Sequence, residues 1–218
     1  LIGGDYDYHP LLQQSGRDEA AIMKRASSPY NEYLLIFCRI SKLITALHLG
    51  SLATANDMIV AIEKVRKRFK FHWIFLIYKF YSGLTFFALA STSMLQSRTS
   101  YRRQGEEVLR YMRKQSNSGC VTATLFVAHL EAERIALISR DANEVLQANE
   151  HAIHISANYG FINYEGLANE RAYFALHALG FDSRPFFERA IACYMDWGAE
   201  HKVHILESNF KGHVLCTK

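Results

Sequence analysis

The sequence has few residues that interrupt regular structure. Its 218 residues include only 3 prolines and 12 glycines, which argues against disorder or a long linker. No sustained alternation of apolar and polar residues occurs, so no β-strand is predicted. Hydrophobic residues make up 50% of the chain and charged residues 21%, and this is the composition of a globular protein with a sizeable core.

The sequence also lacks the short motifs of several enzyme classes. It contains no Gly-x-Ser-x-Gly, no cysteine in a recognisable catalytic context and no glycine-rich phosphate loop ending in Lys-Ser or Lys-Thr. We therefore expect no catalytic residue and no cofactor within these residues. The formal net charge of +4 is mild, so it does not require nucleic acid or an acidic membrane as a partner.

The four cysteines lie far apart in the sequence, at Cys38, Cys120, Cys193 and Cys216. This spacing is typical of reduced thiols in an intracellular protein rather than of a disulfide framework, and it predicts a cytoplasmic location. The chain begins with Leu1 and not with methionine, and we expect it to be a piece of a longer gene product.

The stretch over residues 163–207 has the clearest pattern in the chain. It predicts two helices joined by a short turn, then a short third helix over 199–207. Gly180 and Gly198 are predicted to end the first two helices in the left-handed conformation, and Ser183 to cap the second. The first helix presents a mainly small and apolar face, formed by Leu167, Ala168, Arg171, Ala172, Phe174, Ala175, Leu176 and Ala178.

The rest of the chain continues this organisation into helix pairs. Six further helices are predicted, over residues 30–49, 51–69, 71–97, 100–115, 120–139 and 141–158. Hairpin tips fall near Gly50, Ser97, Arg140 and Gly180, and their spacing of about 40–47 residues exceeds the roughly 34 of a standard tetratricopeptide repeat. Ser51 and Asp141 are predicted N-caps.

We predict an all-α fold, a right-handed superhelix of antiparallel, tetratricopeptide-like helix hairpins. Its parts are an irregular N-terminal segment (1–28), the repeat domain (29–207) and a C-terminal tail (208–218). Residues 80–97 carry no charge and approach the length of a membrane span. Their serines and threonines, with Lys79 just before them, favour a buried helix, so we expect no membrane.

Two histidine pairs have the spacing of one helix face, His151 with His154 and His201 with His204. Cys193, His213 and Cys216 lie near the second pair in sequence, but the spacing matches no zinc pattern. We interpret these residues as surface histidines of repeat helices and expect no metal.

Three other features have both a functional and a structural interpretation. The basic run over residues 64–70 is typical of a solvated helix face more than of a nucleic-acid site. Glu131 and Glu133, with Arg134, indicate surface charge. Trp197 is either an anchor for a partner or a core residue, and its helical spacing with Tyr194 favours the core.

One set of residues resembles a known family. Leu167-Ala168-Asn169-Glu170, Ala190, Tyr194, Trp197-Gly198-Ala199, Lys202-Val203 and Leu206-Glu207 are similar to the last repeat of the helical region in large multidomain signalling ATPases. The resemblance is closest over residues 126–207 and extends less closely over 30–115. We take the following as its structural motif: Asn169, Glu170, Tyr194, Trp197, Gly198, Ala199, Lys202, Leu206 and Glu207.

This resemblance implies a function outside catalysis. The family joins a Ser/Thr-kinase-like domain, an AAA-type ATPase domain, a tetratricopeptide-like region, and GAF and histidine-kinase or cyclase domains. The chain would then relay or scaffold between the ATPase and an output domain, with those domains as its protein partners. Two alternatives remain open: a stand-alone scaffold that holds a peptide in its groove, and a helical segment of a transcription activator.

Overall fold

The computed structural model describes residues 21, 32–65, 69 and 73–216. Within these residues the chain forms nine α-helices and no strand, so the predicted all-α class is confirmed. The helices are α1 (Glu32–His48), α2 (Leu52–Glu63), α3 (Ile74–Thr92), α4 (Leu95–Asn117), α5 (Val121–Ile138), α6 (Ala142–Asn158), α7 (Ile162–His177), α8 (Arg184–Asp196) and α9 (Glu200–Cys216). The N-terminal segment 1–28, apart from residue 21, and residues 66–68 and 70 of the basic run lie outside the described residues.

Three predicted helix ends are wrong. The helix predicted over residues 51–69 ends at Glu63. The hairpin tip expected near Ser97 lies inside α4, because the turn between α3 and α4 occupies only residues 93–94. Met94 makes that turn with extended backbone and without a side-chain cap, so no glycine, proline or capping residue marks it. The last helix does not stop at Glu207. It continues to Cys216, and the polar Ser208 is accommodated because its hydroxyl donates to the carbonyl of His204.

Some of the predicted helix-terminating and capping residues are confirmed, and others lack the predicted hydrogen bond. Gly180 (φ 75°) and Gly198 (φ 78°) take the left-handed conformation directly after α7 and α8. Asp141 caps α6, where its carboxylate accepts the amide of Asn143 at 2.9 Å. Ser51 and Ser183 occupy N-cap positions without a capping hydrogen bond.

The chain divides into two compact units, residues 1–85 and 86–218. In the first unit α1 packs against α2, and their buried side chains include Ile40, Leu43, Ile59 and Ile62. The Tyr78 hydroxyl in the same unit donates to Glu63 at 2.6 Å. The prediction of one repeat domain over 29–207 stays a prediction.

In the second unit each helix from α4 to α8 packs against the next one along the chain. Small residues allow close contact: Ala128 and Ala132 of α5 share a buried cluster with Ala152 of α6 and Ala168 of α7. This agrees with the small and apolar face predicted for α7. Close packing of this kind holds the polar side chains described below in fixed positions.

The helix Ile74–Thr92 is long and apolar enough to cross a membrane by length and composition, and it is the one such helix among the described residues. Within its most apolar stretch of 18 residues, 72% is buried inside the protein. Mostly buried core helices pass the same test, so the helix is weak evidence for a span.

Gly105 marks a close approach between α4 and the buried ring of Phe87. A Cβ added at Gly105 would lie 2.8 Å from Phe87 Cε1. Phe87 is 1% exposed, so its ring has little room to move. We expect Gly105→Ala to lower the free energy of unfolding by about 1 kcal/mol, because the cost of overpacking exceeds the gain in helix propensity. Ser100→Ala, at an exposed position of the same helix, should be neutral or slightly stabilising, and urea unfolding of both variants checks this.

Candidate functional site

Three helices of the second unit meet at the carboxylate of Glu170. Its Oε1 accepts from the Lys202 ammonium at 2.5 Å and its Oε2 from the Tyr194 hydroxyl at 2.6 Å. Tyr194 is fully buried, and Glu170 and Lys202 are each 8% exposed. Residues of α7, α8 and α9 are therefore joined through one buried carboxylate, which we call the Glu170 network.

Local structure explains why these side chains meet. Gly166 precedes Glu170 by about one turn of α7, and a Cβ there would lie 3.1 Å from both Cys193 Cβ and Tyr194 Cε1. The missing side chain lets α8 approach α7 closely enough for Tyr194 to reach Glu170. After α8, Gly198 reverses the chain, and the amide of Ala199 donates to the Tyr194 carbonyl at 2.8 Å.

Apolar side chains surround the Glu170 network. Ala190, Tyr194, Val203 and Leu206 form a buried cluster between α8 and α9. The Lys202 ammonium lies 5.7 Å from the centre of the Tyr194 ring, within the range of a cation–π interaction. Because little water reaches these charges, their hydrogen bonds are strong when complete and costly when one partner is lost.

A second charged pair joins α5 to α7. Arg171 donates to Glu133 through Nε at 2.5 Å and Nη2 at 2.7 Å. Burial by itself would lower the pKa of Arg171, but the charge and hydrogen bonds of Glu133, with the nearby Glu170, raise that pKa overall. The guanidinium therefore stays charged. The prediction that Glu133 is surface charge is wrong, because its side chain is only 12% exposed.

Glu131 lies on the same helix but in a more open setting, with Arg113 and Arg134 as its partners. The two glutamates form a matched pair for substitution. We expect Glu133→Gln to lower the free energy of unfolding by about 2 kcal/mol, since Arg171 loses its compensating charge. Glu131→Gln should cost about 0.5 kcal/mol, as for an exposed ion pair. Equal losses in urea unfolding would contradict this difference in burial.

His129 of α5 lies next to these charged groups and is also buried. Ser156 donates its single hydroxyl proton to the carbonyl of Ala152 at 2.8 Å, so it accepts from His129 Nε2, 2.9 Å away. Burial, and secondly the charge of Arg171, lower the pKa of His129 to about 3. The imidazole is therefore neutral and carries its proton on Nε2. Sequence reasoning missed this residue, since a lone histidine on a helix gives no distinguishing signal.

The other predicted motif residues differ in burial and in their contacts. Leu206 is buried, Gly198 and Ala199 form the turn between α8 and α9, and Glu207 is exposed. Asn169 is fully buried, and its Nδ2 donates to the Glu165 carbonyl at 3.0 Å. Its Oδ1 has no hydrogen-bond partner among the described residues.

The prediction that Trp197 belongs to the core is wrong. Trp197 is 47% exposed and follows the last residue of α8 as its C-cap. Its ring centre lies 6.4 Å from that of Tyr194, so the helical spacing does place the two residues side by side. The helix ends at this point, so no further turn of α8 covers this side chain.

The remaining candidates for chemistry have ordinary settings. No group of three or more metal-binding side chains occurs in the part of the chain that the structure describes. His151 and His204 are exposed, and His154 contacts Asn158 at 2.8 Å. Burial, followed by the charge of Glu165, raises the pKa of the Cys193 thiol to about 11. That thiol is protonated at neutral pH and is a poor nucleophile.

A scan against protein-family models and searches of curated proteins and of solved structures found no match. Function is therefore inferred from the residues of this chain. The arrangement of the Glu170 network and the Glu133–Arg171 pair can fix the positions of four helices relative to one another. Each charge in it has a partner, so it is suited to holding structure rather than to transferring protons.

Proposed function

We propose that this chain is a non-catalytic helical-repeat segment of a multidomain, ATP-dependent signal-transduction protein. In that protein it relays or scaffolds between an ATPase module and an output domain. The observation that carries this proposal is the meeting of Glu170, Tyr194 and Lys202. These three residues are among those that resemble the signalling ATPases, and they come from three different helices to one buried site.

A relay needs helices that keep a fixed register with their neighbours. Two charged contacts supply this, a part-buried one from α5 to α7 through Glu133 and a buried one from α7 to α9 through Glu170. In a stack of hairpins each repeat contacts its neighbours over a large surface, so a displacement at one end reaches the other. The proposal includes a right-handed tetratricopeptide-like superhelix over residues 29–207 and a cytoplasmic location, with neighbouring protein domains as partners.

The test is to sequence the transcript outward from both ends of this segment. We expect a Walker-type ATPase upstream and a GAF, kinase or cyclase domain downstream. If the flanking sequence encodes no ATPase or kinase domain, the relay proposal is wrong.

A stand-alone protein-interaction scaffold is the second candidate function. It is favoured by Met94 and Leu95, which are 89% and 80% exposed, since exposed large apolar side chains often mark interaction sites. Stop codons close to both ends of the segment would support this function over the relay.

A further inference from the structure

The outward face of α4 has an unusual concentration of positive charge. The helix contains six basic and two acidic residues, a net charge of +4, which equals the formal net charge of the whole chain. The buried residues Gly105, Val108, Leu109 and Met112 occupy the other side of the helix, together with the half-buried Arg98, which precedes Gly105 by seven residues. The exposed basic residues are Arg102, Arg103, Arg110, Arg113 and Lys114. We call their side of the helix the α4 face.

Only part of this charge is compensated. Arg102 pairs with Glu106 at 3.1 Å, Arg103 approaches Glu107 at 4.0 Å, and Arg113 pairs with Glu131 of α5. Arg110 and Lys114, about one helical turn apart, have no carboxylate within ion-pair distance in the described part of the chain.

An apolar pair stands at one end of the α4 face. Met94 and Leu95 are the most exposed large hydrophobic residues in the described part of the chain. Leu95 precedes the exposed Arg102 by seven residues, so it lies on the same side of the helix. Large apolar side chains beside a charged strip are an arrangement found at docking sites, where apolar contact adds to electrostatic attraction.

We propose that the α4 face docks an acidic polypeptide segment with apolar residues at one end. The inference names a partner for the protein-interaction role proposed above and rests on that role. The positive charge of the α4 face indicates an acidic partner. The exposed Met94 and Leu95 indicate that one end of this partner is apolar. Glu106 and Glu107 lie among the cations, so the dense negative charge of a membrane surface or a nucleic acid would meet repulsion there, whereas a polypeptide with about one carboxylate per helical turn can place its charges against the cations. The apolar contact is also confined to one turn, too little for a helix that lies in a lipid surface.

The test uses a fluorescein-labelled peptide of about 20 residues, with glutamate at every third or fourth position and leucines at one end. We expect the double variant Arg110→Gln/Lys114→Gln to bind it about tenfold more weakly at low salt, and the difference to shrink as salt screens the charges. Leu95→Gln should weaken binding about threefold or more in a way that salt changes little. Fluorescence anisotropy measures both, and circular dichroism checks that each variant is folded.

The matched control is Arg140→Gln/Arg184→Gln, which removes the same charge from exposed positions outside α4. It should bind the peptide like the unchanged protein. If the control loses as much affinity for the peptide, α4 is not the docking site. The interaction role proposed above would be unaffected, because the flanking sequence tests it separately. The proposal is also overturned if the peptide does not bind. Vesicles with about 30% phosphatidylserine and a duplex DNA of about 20 base pairs are tested in the same way. The proposal of a polypeptide partner is wrong if either binds the protein more tightly than the peptide does and loses the same affinity in the α4 double variant.

Discussion

Replacing Lys202 with methionine should lower the free energy of unfolding by about 3 kcal/mol, because it leaves the buried Glu170 carboxylate without its cation. The side chains of Lys202 and Glu170 are 9% and 10% exposed, so water can replace the lost contact only poorly. The Tyr194 hydroxyl remains as a donor to Glu170 and limits the loss. Urea unfolding followed by circular dichroism measures the effect.

A double variant separates the buried charge from the packing. Lys202→Met combined with Glu170→Gln removes both charges and keeps an acceptor for the buried Tyr194 hydroxyl, so we expect it to recover most of the lost stability. Lys114→Met, at an exposed position of α4, should change stability by less than about 0.5 kcal/mol. A loss in Lys202→Met no larger than in Lys114→Met would show that the ion pair contributes little to holding α9.

The Glu170 network shows why a motif can be located in a sequence before its role is known. Asn169, Glu170, Tyr194 and Lys202 were selected by resemblance, and three of them meet at one carboxylate. Their separations in sequence, 24 residues from Glu170 to Tyr194 and 32 to Lys202, have no helical period. Only the packing of α7, α8 and α9 brings them together, so periodicity could place each residue on a helix but could not predict the contact.

Local signals predicted local structure well. The left-handed Gly180 and Gly198 and the capping carboxylate of Asp141 lie where the sequence places them, since each depends on a few neighbouring residues. The turn before α4 has no such signal, and its position was therefore missed. Glu133 and Arg171 were missed for another reason. They lie 38 residues apart, and an acidic residue on a helix is usually exposed. The one available hint was Arg171 itself, a charged residue on the small and apolar face of α7.

The pH dependence of stability should reveal the buried His129. In the unfolded chain a histidine titrates near pH 6.5, whereas the folded imidazole has a pKa of about 3. Between these two values the unfolded state binds one more proton than the folded state, so the free energy of unfolding falls as the pH falls from about 6.5 towards about 3. The slope is about 1.4 kcal/mol per pH unit, and this group contributes a loss of about 2 kcal/mol between pH 7 and pH 5.

His129→Gln tests this assignment, because glutamine keeps an amide donor for Ser156 but has no proton to gain. We expect the variant to be less stable at pH 7 by about 1 kcal/mol, from imperfect packing, and to lose about 2 kcal/mol less than the unchanged protein on going to pH 5. His151→Gln is the control for replacing a histidine by glutamine, since His151 is exposed on α6. Urea midpoints at several pH values measure all three proteins. If the unchanged protein and His129→Gln lose stability in parallel below pH 6.5, His129 takes up its proton in the folded state, and the contact with Ser156 does not hold it neutral.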